Sequence, residues 1–163
     1  MFTIGDIKNI AIQIEKNGEE SYRNAAKLAK NRRVEEILLW MAEQEKRHAA
    51  WFASNLDTSK PLTAEQREME TLGKTLLQDI VKSSSFLTNE QQLEAADTAK
   101  EVVDISIALE QETILFYNFL RGFIDDEETL GQLDKIIAEE QLHITKLEEV
   151  ATLKKQECDE QPH

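Results

Sequence analysis

The sequence contains one pattern of residues twice, 95 positions apart. Glu15, Tyr22, Glu45 and His48 recur as Glu110, Tyr117, Glu140 and His143. The chain has only two tyrosines, and both belong to the pattern. Of its three histidines two belong, and the third is His163. Glutamate alone would carry little weight in so acidic a chain. Rare side chains falling into one register mark an internal repeat, which confines the fold to two copies of one structural unit.

The composition says what that unit is made of. Five Gly and two Pro in 163 residues, against abundant Ala, Leu, Glu, Lys and Gln, favour helix throughout. At 18.7 kDa the chain is a single domain with enough surface to bury a core. A net charge of −13 argues against binding to nucleic acid or to an anionic membrane, since both need a basic patch. No basic segment followed by an apolar run opens the sequence, and no stretch approaches the ~20 apolar residues of a membrane span. A cytoplasmic protein is the expectation. The lone Cys158 cannot form an intramolecular disulfide, and no Cys-x-x-Cys is present to hold zinc or a rubredoxin-type iron.

Apolar spacing and capping signals predict the helices. The first is expected from Gly5-Asp6, with Asp6 as N-cap, to about Lys30. A second is expected from about Val34 to Leu56, and a break at Asp57–Pro61 follows. Thr63-x-x-Gln66 has the form of a capping box and opens a third, shorter helix to about Lys82. After a loop at Ser83–Ser85, a fourth is expected from about Asn89 to Phe123. Asp125-x-x-Glu128 should cap the last, running to about Gln156. Two short-turn hairpins are thus joined by a long crossover that carries its own short helix, the topology of an all-α four-helix bundle. Residues 1–156 form this bundle, with repeat halves 1–56 and 96–151, and 157–163 read as a flexible tail.

On those helices the repeated residues face inward. Residues three apart point within about 60° of each other, so each Glu-x-x-His pair looks one way. Glu45 and His48 lie on the stripe of Met41 and Phe52; Glu140 and His143 lie on that of Leu133, Ile136 and Leu147. Glu15 with Tyr22, and Glu110 with Tyr117, are seven apart and nearly eclipsed. Four carboxyls and two imidazoles converge on one core, which is costly without counter-charge. Two divalent cations would balance the four carboxylates. Oxygen-rich donors with only two imidazoles suit iron or manganese better than zinc. A lone core histidine or a solvated glutamate would explain any one of these residues, and ordinary packing would explain either tyrosine. Only the combined set points to a dinuclear centre, with the phenols hydrogen-bonding and orienting its carboxylates.

The stretches IEKNGEESY, AEQEKRHAAWF, LEQETILFY and AEEQLHITKL resemble the four ligand segments of the ferritin-like superfamily, and within it of the rubrerythrin-like di-iron proteins. The resemblance implies Glu15 and Glu110 as terminal ligands, Glu45 and Glu140 as bridging carboxylates, His48 and His143 as nitrogen ligands, and Tyr22 and Tyr117 as supporting phenols. It implies a centre of two iron ions, with manganese as the other candidate, and pairing of bundles into a homodimer. Trp40, Trp51 and the apolar side of the connecting helix are candidate surfaces for that pairing; burial within one chain explains them equally well. Rubrerythrins proper also carry a rubredoxin domain with four cysteines, whereas this sequence has one, so either electrons come from a separate donor or the role is other than peroxide reduction. Their additional switching glutamate has a counterpart near Glu112, which reaches the metals only if its helix is bulged. Glu19, one turn after Glu15, is a second surplus carboxylate, and its repeat partner is Ile114.

The leading expectation is an oxidoreductase that reduces hydrogen peroxide. The alternatives are a ferroxidase that handles iron with dioxygen, and a metal-free helical interaction module. Peroxide is implied by the resemblance; spacing does not choose between the oxidants.

Overall fold

The computed structural model describes residues 2–56, 61–83 and 86–160, with side chains at all of these except 77, 80–89 and 151–160. Within them the protein is all-α. Six helices follow in order: α1 (Ile4–Lys27), α2 (Arg32–Asn55), α3 (Ala64–Ser83), α4 (Phe86–Ala95), α5 (Ala99–Arg121) and α6 (Glu127–Glu160). The helices α1 and α2 pack as one hairpin, α5 and α6 as the other, and α3 and α4 form the crossover against α1. A 24-residue helix such as α1 is about 36 Å long, so the crossover has the length of the bundle to traverse.

Capping chemistry sets the helix ends and corrects three expected boundaries. At α1 the cap is Thr3, whose hydroxyl accepts from the Asp6 amide, while the Asp6 side chain accepts from the Thr3 amide. Asp6 is therefore the reciprocal member of the box and not the N-cap. The Thr63–Gln66 box forms as expected, with reciprocal bonds of 3.0 and 3.2 Å. The fourth expected helix is two helices. Thr98 caps α5 by accepting from the Glu101 amide at 3.1 Å, and Glu101 reaches back to the Asp97 amide at 2.9 Å. This break frees the Asp97 carbonyl to accept from Asn31, the N-cap of α2, and so ties the two hairpins together at one end. At α6 the cap is Asp126, bonded to both the amide and the hydroxyl of Thr129, and not Asp125. The last helix continues to Glu160. The expected breaks at 57–60 and 84–85, and residues 161–163 of the expected tail, lie outside the described residues.

Removing the α5 cap should cost about 1 kcal/mol. Thermal unfolding of Thr98→Ala should show a melting temperature lower by roughly 2–4 °C, the shift expected for a domain of this size.

The core divides into two apolar clusters. One is built on Ile7, Ile10, Phe52, Tyr117, Leu120, Leu133 and Ile136. The other is built on Tyr22, Val34, Leu38, Met41, Leu93, Val103 and Leu147. Each contains one tyrosine of the repeat. Trp51 packs against the first cluster and Trp40 against the second, so the chain itself accounts for much of both surfaces. Leu72 and Leu76 on α3 stay exposed. Charged and polar groups of the repeat occupy the layer between the two clusters. Among the described residues, no helix is long and apolar enough to cross a membrane.

Candidate metal centre

Each hairpin contributes one glutamate from its first helix and one Glu-x-x-His from its second. Glu15, Glu45, Glu110, Glu140 and His143 are all at most 5 % exposed. His48 is slightly more open. The six side chains meet across the hairpins in a repeat-symmetric way. His48 Nδ1 lies 3.6 Å from Glu15 Oε2 and 3.7 Å from Glu140 Oε1. His143 Nδ1 lies 3.4 Å from Glu110 Oε2 and 3.9 Å from Glu45 Oε1. Each imidazole thus faces the single glutamate of its own hairpin and the Glu-x-x-His glutamate of the other. The two rings touch edge to face, with centroids 4.6 Å apart.

The electrostatics of this layer are unfavourable for protein alone. Burial, and then the charge of Glu140, push the Glu15 carboxyl well above the usual range. Burial with Glu15 does the same to Glu45. Burial with Glu45 acts on Glu110, and burial with Glu110 acts on Glu140. Glu15 and Glu110 each lie within hydrogen-bond reach of both Glu45 and Glu140. The four carboxyls therefore form a closed ring in which oxygen faces oxygen, and only protons or cations can bridge it. Burial lowers the His48 imidazole to about 3 and that of His143 to about 4. Both rings are accordingly neutral and carry a lone pair for a ligand.

Unpaired atoms show how well this set fits metal. Glu15 Oε2, Glu110 Oε2, Glu140 Oε1, His48 Nδ1 and both nitrogens of His143 are buried without a hydrogen-bond partner among the described residues. Native proteins hold only a few such atoms per hundred residues, so six gathered in one layer call for an explanation. Donor atoms of these residues gather within 4.8 Å in three groupings: Glu15, Glu45 and His48; Glu45, Glu110 and His143; and His48, Glu140 and His143. Glu45, His48 and His143 each belong to two of them, and Glu45 is the carboxyl that does. The donor set is oxygen-rich with two imidazoles, which suits iron or manganese.

The tyrosines depart from the symmetry. Both phenols are buried beside the carboxylates, and burial first, then Glu45 for Tyr22 and Glu140 for Tyr117, hold their protons firmly. The Tyr22 hydroxyl donates to Ser106 at 3.0 Å, and Ser106 in turn donates to the Val102 carbonyl. The repeat partner of Ser106 is Ala11, and Tyr117 Oη has no hydrogen-bond partner among the described residues. Sequence reading passed over Ser106; its signal is that this position differs between copies although both tyrosines are kept. Gly18, one of the small residues on the inward face of α1, also shapes the site. A Cβ there would stand 3.3 Å from the Glu45 carboxyl, so glycine gives that side chain its room. Of the two surplus glutamates, Glu19 is held by Arg23 at 2.9 Å and Glu112 is exposed on α5. Neither belongs to the three groupings.

Neither the curated proteins nor the solved structures contain a match to the chain. The family model described as Rubrerythrin matches residues 6–151, which takes in every member of the repeated set. On that match, and on the all-helical fold that agrees with it, the chain belongs to the rubrerythrin family of the ferritin-like superfamily.

Proposed function

We infer that the protein is a di-iron carboxylate oxidoreductase that reduces hydrogen peroxide, with electrons from a separate donor in the cytoplasm. The observation that carries this reading is the ring of four buried carboxyls with two neutral imidazoles, six of whose atoms lack partners. Glu15, Glu45 and His48 would hold one ion, Glu110, Glu140 and His143 the other, with Glu45 and Glu140 shared. When bound, the pair of ferrous ions supplies the two electrons that, with two protons, convert hydrogen peroxide into two waters. The apolar clusters on either side of the polar layer exclude bulk water from it. Four carboxylates of fixed position favour the higher metal charge that follows oxidation. The Tyr117 hydroxyl keeps its proton and has no competing acceptor among the described residues, so it is the phenol available to a carboxylate of the centre. Tyr22 is anchored on Ser106. A separate donor fits the single cysteine of this sequence, which is too few for a four-cysteine iron site. Family membership supports peroxide over dioxygen. A metal-free interaction module leaves the unpaired atoms without a reason.

Anaerobic loading with ferrous iron tests the reading. Fast oxidation by peroxide, slow oxidation by dioxygen, and two irons kept per chain through repeated cycles are the expected results. Preference for dioxygen, with more than two irons consumed per chain, would make the protein a ferroxidase. Isolation with far less than two metal ions per chain, from cells grown with ample iron and manganese, would refute both.

A further inference from the structure

The symmetry of the repeat is broken on the side of the bundle where α1 and α5 face each other. A cavity of about 50 Å³ lies there, lined at its half-exposed rim by Asn17, Gly18 and Ser21 and at its buried end by Glu45 and Glu110. Leu93 of the crossover helix α4 forms part of its wall. At ~30 Å³ per liquid water, it has room for one or two water-sized molecules. Glu45 and Glu110 belong to the grouping completed by His143, while Glu15, His48 and Glu140 do not line the cavity. The imidazoles come from α2 and α6 and touch each other, while the opening lies on the α1/α5 side.

The second copy of the repeat carries larger side chains at the matching positions. Thr113 stands at the position of Gly18 and Phe116 at that of Ser21. Thr113 is buried with its hydroxyl on the Leu109 carbonyl, and Phe116 packs on the core cluster beside Tyr117. Thr113 itself lines the cavity from α5, so the replacement that adds bulk on the other half is Phe116 for Ser21.

Resting on the metal-centre reading, we propose that this cavity is the access route for the oxidant. It admits only molecules of peroxide size, and it delivers them to the half of the centre held by Glu45, Glu110 and His143. The two halves are then alike in ligands and unlike in access. Bulky organic hydroperoxides are excluded by the rim.

The test exchanges the bulk between the copies. Ser21→Phe copies the residue of the sealed half, Phe116→Ser copies that of the open half, and neither position supplies a ligand. Azide is titrated optically into the iron-loaded, oxidised protein, with metal-free protein as the control. Ser21→Phe is expected to keep the metal and weaken azide binding by about tenfold or more, the factor that a steric cost of the overpacking kind implies. Oxidation of the ferrous protein by hydrogen peroxide should slow in parallel. Phe116→Ser should add a second azide equivalent. Wild-type protein should react at least roughly tenfold faster with hydrogen peroxide than with tert-butyl hydroperoxide, on the same steric scale. Unchanged azide binding in Ser21→Phe overturns the proposal, as does equal reactivity with the two peroxides. If Ser21→Phe does not hold metal, Ser21→Leu takes its place and is judged the same way. Blocked azide binding in a protein that prefers dioxygen would refute the peroxidase reading and leave the access route standing. Unaltered azide binding with fast peroxide turnover would do the reverse.

Discussion

Glu45→Gln should strip the centre of metal and stabilise the protein that remains. Glu45 is shared by the groupings around Glu15 and around Glu110, so its loss weakens both halves. Changing residues that merely support metal ligands costs about 10–100-fold in affinity, and a shared ligand should cost more. Metal retained after desalting should fall below one ion per chain. The opposite sign for the metal-free protein follows from the ring of carboxyls. Wild-type Glu45 is buried against Glu15 and Glu110 and is held protonated far above its ordinary range. Keeping a carboxyl protonated against bulk pH costs about 1.4 kcal/mol per unit. An amide of the same shape removes that cost and offers N–H donors to its neighbours' oxygens. At pH 7 this should stabilise the metal-free chain by roughly 1–3 kcal/mol, or several degrees in melting temperature at ~2–4 °C per kcal/mol. Glu112→Gln, exposed on α5, is the control and should alter neither quantity. Wild-type metal content in Glu45→Gln, or a metal-free protein that melts lower than wild type, would remove the basis for a shared ligand.

The convergence of the buried carboxyls and imidazoles was legible in the sequence because these residues share one register and their spacing is helical. Two tyrosines and two histidines in one 95-residue register leave little freedom, and three- and seven-residue spacings place them on inward faces whatever the helix ends do. The helix ends were less legible where neighbouring residues compete for one role. Asp125 and Asp126 both precede a helix; Thr129 decides between them by offering an amide and a hydroxyl to Asp126. The break before α5 carried a sign, Thr98-x-x-Glu101, but helix-favouring residues on both sides masked it. Glu19 faces the centre by spacing, yet Arg23 one turn later draws it aside. The asymmetries Ser106 with Ala11 and Gly18 with Thr113 can be read as letters. Their meaning depends on which residues of different helices stand opposite each other, and one sequence does not contain that register.

Metal-free protein should lose stability as pH rises from about 5 to 8, and metal should restore more of it the higher the pH. The folded carboxyls of Glu15, Glu45, Glu110 and Glu140 lie well above the ordinary 4.5. They hold protons that the unfolded chain has already released. Stability from this source is complete below 4.5 and drains away as pH climbs through the folded values. Asp6, raised to about 6 by burial, acts in the same direction. The imidazoles oppose it: lowered to about 3 and about 4, they favour the folded state above 6.5 and disfavour it as pH falls toward those values. Between 4.5 and 6.5, four carboxyls outweigh two imidazoles. Above 6.5 the imidazoles no longer change protonation on folding, and their opposition ends. Each net proton contributes about 1.4 kcal/mol per pH unit. Metal requires ionised carboxylates and displaces their protons, so its affinity rises over the same interval. One ion at a thousandfold its Kd adds about 4 kcal/mol, which for this size of domain is roughly 8–16 °C. Thermal melts at pH 5, 6, 7 and 8, with chelator and with anaerobic ferrous iron or manganese, measure both effects. A chelated protein whose stability is flat or rising above pH 6 would contradict the ring of protonated carboxyls. A metal-induced shift equal at every pH would mean that the stabilising ion binds elsewhere.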